Sequence, residues 1–357
     1  MLLKFKFICL LMTITCCTLF AQDSTQNKDK GIIVLPAVFF SPETSLGFGG
    51  AGLFYFRTSK DSTAAPSNIQ SIFIYTLENQ ILFTNPYGIF LKGDQYWLKG
   101  ELGYYLYPYE YYGIGSDISL DRFEAYTASF LRFEVNALKL LKDNFYLGPT
   151  LFYDQYFHIK TDAEGELNQR NIRGVRGGQL LGGGASFVLD KRNNVFCPFR
   201  GYYLEGRVLQ YQDAAFGDYA FTDIFFDARK YFHPADGWET AFQLYHQSVV
   251  GDVPFYNYAL LGGGKRMRGY YRGAYRDHHF STLQAEVRKY VFKRIIISAY
   301  GGIGGVNDTF ASFDKLLGSY GVGLRYEINP EEHIRIRLDY ARGHNTSGFY
   351  ININEAF

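Results

Sequence analysis

The stretch Leu261-Gly-Gly-Gly-Lys-Arg-Met-Arg-Gly-Tyr-Tyr-Arg-Gly273 gathers the residue types best able to do chemistry in this chain. Glycine reaches backbone angles closed to other residues, and arginine carries a planar fork that matches a carboxylate. Loops this long are uncommon unless they are functional or disordered. Arg and Tyr alternating with Gly do not make a disordered tail. The composition points to a segment folded back tightly, with an arginine directed at a buried carboxylate.

Other residues offer less. A hydrolytic site on a membrane face would need Ser, His and an orienting polar group. His246-Gln247-Ser248 and His278-His279 with Ser281 are the nearest sets, and neither carries a recognisable nucleophile motif. Adjacent histidines on a strand point opposite ways, so His278 and His279 beside Asp277 make a poor metal pair. Cys197, next to Pro198, has no basic neighbour or helix end to lower its pKa. The expectation is a protein that is not an enzyme, with no catalytic residue, no metal and no cofactor. Tyr104, Tyr105, Tyr107, Tyr109, Tyr111 and Tyr112 could form a carbohydrate platform. A girdle at a membrane interface explains them more simply, because such a ring sits in lipid with its hydroxyl among headgroups.

The elements that must position these residues read as strands. The chain holds 31 Tyr and 33 Phe against 2 Trp, 3 Met and 4 Cys, a balance that suits a transmembrane β-barrel with aromatic girdles and a polar interior. Net charge is +1, which leaves no nucleic-acid footprint. Alternation is cleanest in Ile334-Arg335-Ile336-Arg337-Leu338-Asp339-Tyr340 and recurs in Leu283-Gln284-Ala285-Glu286-Val287-Arg288. Turn signals at Asn85-Pro86, Asn193-Asn194, Ala235-Asp236-Gly237 and Asn329-Pro330 cut the chain into about sixteen candidate strands, the last near 347–357. The expected fold is all-β, a transmembrane antiparallel β-barrel of about 16 strands with an inward-folded long loop. Lys4 and Lys6 before the apolar run Phe7 to Phe20 predict a signal peptide over 1–21. A short periplasmic segment over 22–32 and an outer-membrane barrel over 33–357 follow. Three of the four cysteines fall in the leader, so the mature barrel keeps only Cys197 and no internal disulfide.

Three segments carry a family resemblance. Asp190-Lys-Arg192-Asn193-Asn194 through Pro198 and Arg200-Gly201 is similar to a hairpin motif of the BamA/TamA family of outer-membrane assembly factors. Met267-Arg268-Gly269-Tyr270 is similar to the family's internal loop motif. Tyr320-Gly321-Val-Gly323-Leu-Arg325, followed by Ile336-Arg337-Leu338-Asp339-Tyr340, is similar to its last hairpin. The end of the chain resembles the signal that hands barrels to their assembly machine, with Phe349, Ile351, Ile353 and Phe357 expected on one strand face and Glu355 interrupting it.

The resemblance implies a sixteen-stranded barrel in the outer membrane whose loop arginine reaches down the lumen. Carried over, this makes Arg268, Gly269 and Tyr270 the loop motif and Glu286 the carboxylate that Arg268 meets. The hairpin motif falls on Asp190, Arg192, Asn194, Pro198 and Gly201. Where the family has a further aspartate on the next strand, this chain has Gly302. The partners implied are outer-membrane lipids, unfolded outer-membrane protein clients, and a separate POTRA-bearing or lipoprotein chain, since only about ten residues lie between leader and first strand. The resemblance implies a role in protein insertion or translocation without catalytic chemistry. The alternative is a passive pore, scaffold or surface-antigen barrel.

Overall fold

A computed structural model of the chain describes residues 30–59, 65–214, 216–310, 312, 315–330 and 333–357. The leader expected over 1–21 and most of the segment over 22–32 lie outside them. Among the described residues, no helix is long and apolar enough to cross a membrane.

Alternation drives the architecture. In a strand successive side chains point to opposite faces, so apolar and polar residues in turn give one lipid-facing and one lumen-facing surface. The strands are β1 (Lys30–Ser41), β2 (Ser45–Phe56), β3 (Ser67–Thr76), β4 (Ile81–Leu91), β5 (Tyr96–Tyr111), β6 (Glu124–Lys142), β7 (Phe145–Lys160), β8 (Gly178–Asp190) and β9 (Gly201–Tyr211). They continue with β10 (Phe221–Ala235), β11 (Trp238–Gly251), the two-residue β12 (Ala259–Leu260) and β13 (Arg276–Asp277), β14 (His279–Phe292), β15 (Ile295–Asn307), β16 (Leu317–Asn329), β17 (Ile334–Gly343) and β18 (Thr346–Ile353). All except β12 and β13 close into a 16-strand antiparallel barrel. Closure gives every strand a neighbour on both sides, the condition for a sheet to live in lipid, with the sparsest pairing at the β1–β18 seam. β12 and β13 pair with each other inside the long excursion between β11 and β14.

β17 shows the rule at its simplest. Arg335, Arg337, Asp339 and Ala341 are buried in the lumen, whereas Ile336 and Tyr340 are exposed outside. Leu102, Leu131, Leu283, Ile303 and Val322 extend that apolar outer surface around the barrel.

Much of the lumen is occupied by the long loop. The excursion from 252 to 278 folds inward, and Phe255, Ala259, Leu261, Met267, Tyr270 and Tyr275 from it are buried against inward-facing side chains. The tyrosine run on β5 belongs to this packing, which corrects the girdle expectation. Tyr105 stacks on Phe130 at 4.6 Å between ring centroids, Tyr109 on Tyr126 at 5.4 Å, and Tyr111 meets Phe255 edge-on. Odd-numbered positions of β5 face inward, so period two places these rings in the lumen. Tyr104, of the other parity, faces Phe157.

The last strand also departs from expectation. Phe349 and Ile353 are exposed on the outer face, but β18 stops at Ile353. Asn354 adopts φ +65°, which turns the chain off the sheet. Phe357 is buried with Ala356 against Tyr231 and Ala241, so it does not share a face with Phe349, Ile351 and Ile353. The Glu355 side chain, expected to interrupt that face, is buried among arginines described below.

Candidate functional site

The loop motif sits where Arg268 can be enclosed. Gly269 has φ +103°, and a Cβ there would lie 2.8 Å from the Arg342 carbonyl carbon, so the bend that aims Arg268 inward accepts only glycine. Tyr270 anchors the bend: its hydroxyl donates to the Gly318 carbonyl and accepts from the His344 amide, each at 2.8 Å. The Tyr350 hydroxyl accepts from the Gly269 amide at 2.9 Å. The motif is thus tied to β16 and β18 and to the turn after β17.

Arg268 is 1% exposed. Its Nη2 donates to Glu286 Oε2 at 2.6 Å and its Nη1 to Asp339 Oδ2 at 2.5 Å. Its guanidinium carbon lies 3.4 Å from the centroid of the Tyr300 ring. The sequence reading placed Glu286 beside Arg268 but not Asp339, which β17 supplies from three strands along the same wall. Gly302 is registered against Gln284, and a Cβ at 302 would come within 2.9 Å of Gln284 Cγ. A longer side chain has no room there, and the second carboxylate arrives from Asp339 instead.

Glu286 and Asp339 are shared. Arg325 Nη2 donates to Glu286 Oε1 at 2.8 Å and Arg325 Nη1 to Asp339 Oδ1 at 2.6 Å, so two arginines clasp the same pair of carboxylates. Arg288 Nε reaches Glu286 Oε1 at 2.9 Å. The network then runs through the inward-turned tail. Glu355 lies 3.3 Å from Arg288, 3.2 Å from Arg325 and 3.1 Å from Arg335. Arg335 also pairs with Glu239 at 2.8 Å and Glu327 at 3.4 Å. Buried charges on this scale are tolerable only when each is paired and hydrogen-bonded. Burial works to raise the Glu355 carboxyl, and Arg288, Arg325 and Arg335 outweigh it, holding it down to about 2.

The hairpin motif lies at the β8–β9 connection. Arg192 grips Asp190 with two parallel bonds, Nε to Oδ1 at 2.9 Å and Nη2 to Oδ2 at 2.6 Å, and its guanidinium lies 4.5 Å from the Tyr203 centroid. Asn194 Oδ1 accepts from the amides of Phe196 and Cys197, both at 2.8 Å. These bonds carry the turn into the lumen, where the Pro198 carbonyl accepts from Arg288 Nη1 at 3.5 Å and Gly201 opens β9. Cys197 is buried with its sulfur 4.0 Å from Asn354 Oδ1, and burial pushes its thiol up to about 12. The hairpin motif and the tail therefore approach the same arginines from the turn side of the barrel, while the loop motif approaches them from the other.

At the opposite end, His278, in the bend between β13 and β14, and His279, which opens β14, diverge. His278 Nδ1 lies 2.9 Å from Asp308 and 3.5 Å from Asp277, and His279 turns to Ser248.

Among the described residues, the lumen network holds no nucleophile hydrogen-bonded to a base. What it offers is a mechanical joint: one loop and one tail pinned to β14, β16 and β17 by shared ion pairs, with one hairpin joined to Arg288 by a backbone carbonyl.

Comparison with known proteins agrees with this geometry. The barrel is similar in fold to BamA from Haemophilus ducreyi lacking POTRA domains 1-3, with a TM-score of 0.61 and 13% identity over 91% of this chain and 70% of that one. It is also similar to CdiB from Acinetobacter baumannii, with a TM-score of 0.56 and 13% identity over 92% of this chain and 66% of CdiB, just under two thirds of its length. Curated protein sequences give no match. The Omp85 superfamily domain matches residues 74–357. With that span, the sixteen closed strands and a BamA/TamA-type barrel, this chain belongs to the Omp85 superfamily of outer-membrane β-barrels.

Proposed function

We propose that the chain assists insertion or translocation of proteins at the outer membrane, by barrel deformation and strand exchange at the seam between β1 and β18. The observation that carries this reading is the seam itself. β1 meets β2 at twelve registered positions from Lys30↔Phe56 to Ser41↔Ser45. Against β18, among the described residues, its register is the pair Phe40 and Ile351. β18 has 8 residues and β1 has 12. A strand edge without a full partner templates another chain's strand through backbone hydrogen bonds. Such an edge suits an unfolded barrel protein as client, and the activity needs no catalytic chemistry. The loop motif, hairpin motif and tail would hold the rest of the wall rigid while the seam yields. The BamA and CdiB likeness and the family membership support this role. A leader over 1–21, outer-membrane lipids as surroundings and a separate POTRA-bearing or lipoprotein chain as helper belong to the same proposal.

The alternative is a passive pore, scaffold or surface antigen. The packed lumen disfavours a conducting pore.

A seam lock tests the proposal. In a Cys197→Ser background, Phe40→Cys with Ile351→Cys would be oxidised and assayed for client insertion into liposomes containing the purified barrel. Insertion should stop on oxidation and return on reduction. Equal insertion by locked and unlocked barrels, or normal levels of other outer-membrane proteins after depletion of this chain, would sink the idea.

A further inference from the structure

A second polar cluster lies on the outside of the barrel. β11 and β14 are registered so that His246 faces Ser281 and Ser248 faces His279. These four side chains form one continuous chain of hydrogen bonds. His246 Nδ1 is 2.8 Å from Ser281 Oγ, His246 Nε2 is 2.7 Å from Ser248 Oγ, and Ser248 Oγ is 2.7 Å from His279 Nδ1. Phe310 lies edge-on to both imidazoles at 5.5 and 5.7 Å. The cluster shares its face with Leu244, Leu283 and Ile303, all about half exposed. It occupies the end of the strands from which the long loop departs.

Polar side chains at such a place can simply satisfy one another. This chain does more than that, because it places a base, His246, between two hydroxyls. Ser248 is 5% exposed and has an imidazole nitrogen on either side, so no carbonyl carbon can approach it. Ser281 is partly exposed on the lipid face. Of the two proton orders these distances allow, one makes the accessible hydroxyl the donor to the base: Ser281 Oγ–H to His246 Nδ1, His246 Nε2–H to Ser248 Oγ, Ser248 Oγ–H to His279 Nδ1. A nucleophile within hydrogen-bond reach of a base, itself oriented by a third group, is the arrangement that activates serine.

We propose that Ser281, His246 and Ser248 form an acyl-hydrolase site on the lipid-facing surface, with a fatty-acyl ester of a membrane lipid as substrate. Its acyl chain lies along Leu244, Leu283 and Ile303, which brings the ester carbonyl to the level of Ser281. Ser281 Oγ attacks the carbonyl carbon and its proton passes to His246 Nδ1. The tetrahedral adduct collapses with cleavage of the bond to the alkoxy oxygen, which takes the proton from His246 and leaves as the alcohol. Water then attacks the acyl-serine, gives a proton to His246, and the fatty acid leaves as Ser281 regains its hydrogen. Ser281 and His246 are the catalytic residues. Ser248 is a positioning residue that holds His246 in the tautomer with a free Nδ1.

The test uses the purified full chain in detergent micelles, a fluorophosphonate probe and 4-nitrophenyl decanoate, with phosphatidylcholine mixed micelles as the lipid ester. The expected result is a covalent adduct on Ser281 by peptide mass spectrometry. Hydrolysis should be lost in Ser281→Ala and reduced about 10²- to 10⁴-fold in His246→Ala. Ser248→Ala should lower kcat with KM unchanged. Heat-modifiable gel mobility, which reports the folded barrel, should be the same in all variants. Absence of an adduct, or hydrolysis equal in Ser281→Ala and the parent protein, overturns the site. An adduct on Ser248 overturns the assignment of the nucleophile.

Discussion

The guanidinium of Arg268 lies flat over Tyr300, 3.4 Å from the ring centroid, while its two Nη atoms bind Glu286 and Asp339. One side chain of an inward loop is thereby fixed to three strands, β14, β15 and β17. Removing it should leave Glu286 to Arg325 and Arg288 and Asp339 to Arg325 and Arg337, with the outer oxygen of Glu286 unpaired. Arg268→Ala should destabilise the folded barrel by about 3–5 kcal/mol, seen as a lower temperature for loss of heat-modifiable gel mobility. Arg268→Lys should be intermediate, because an ammonium cannot fork between two carboxylates. Tyr300→Leu should cost less, about 1–2 kcal/mol for a desolvated cation on a ring.

Gly323 should tolerate no side chain. A Cβ there would lie 2.0 Å from Arg325 Nη1 and 2.2 Å from Asp339 Oδ1. Gly323→Ala should displace that pair and lower the unfolding temperature as far as Arg325→Ala does. In the double variant the two losses should not add, which a double-mutant cycle would detect.

The tail should be held by charge over a defined acid range. The Glu355 carboxyl is depressed in the folded state from 4.5 to about 2. A depressed carboxylate contributes stability that is complete above its unfolded pKa and is lost as pH falls through the folded one. Docking of the tail should therefore be full at pH 6, weaken below about pH 4.5 and fail near pH 2. A Phe357→Trp reporter should show the change as increased collisional quenching. Glu355→Gln should show the quenched state already at pH 7.

Cys197 should be nearly inert in the folded barrel. Its thiol is buried and pushed up to about 12. At pH 8 its reaction with a maleimide should be slower than that of an exposed cysteine by at least about 10³-fold. Glu355→Gln, by releasing the tail from the turn, should accelerate labelling before any global unfolding. Rapid labelling of the parent protein would contradict the buried turn.

The barrel was legible because period two is a local property. Ile336 and Tyr340 outside, with Arg335, Arg337 and Asp339 inside, can be read directly from β17. Glu286 stands out for the same reason on β14. Asp339 was equally visible as a polar-face residue, but no spacing rule joins it to a loop residue 71 positions away. The β5 tyrosines misled because their type suggested an interface while their parity placed them inside. Phe357 misled because a single left-handed residue, Asn354, ends the alternation. The chain from Ser281 to His279 depends on cross-strand register, which alternation alone leaves unspecified.

The tail after β18 gives the seam a tether. Glu355 is covalently continuous with β18, the strand that the proposed mechanism parts from β1, and its carboxylate is held by arginines on β14, β16 and β17. Peeling β18 outward past Ile353 therefore drags an anion out of a cationic socket. The effort of opening is set by ionic attraction deep in the lumen as well as by backbone bonds at the edge. Under the proposed function, strand release is a latch responsive to the local ionic medium, and a charged client segment would compete directly for the key.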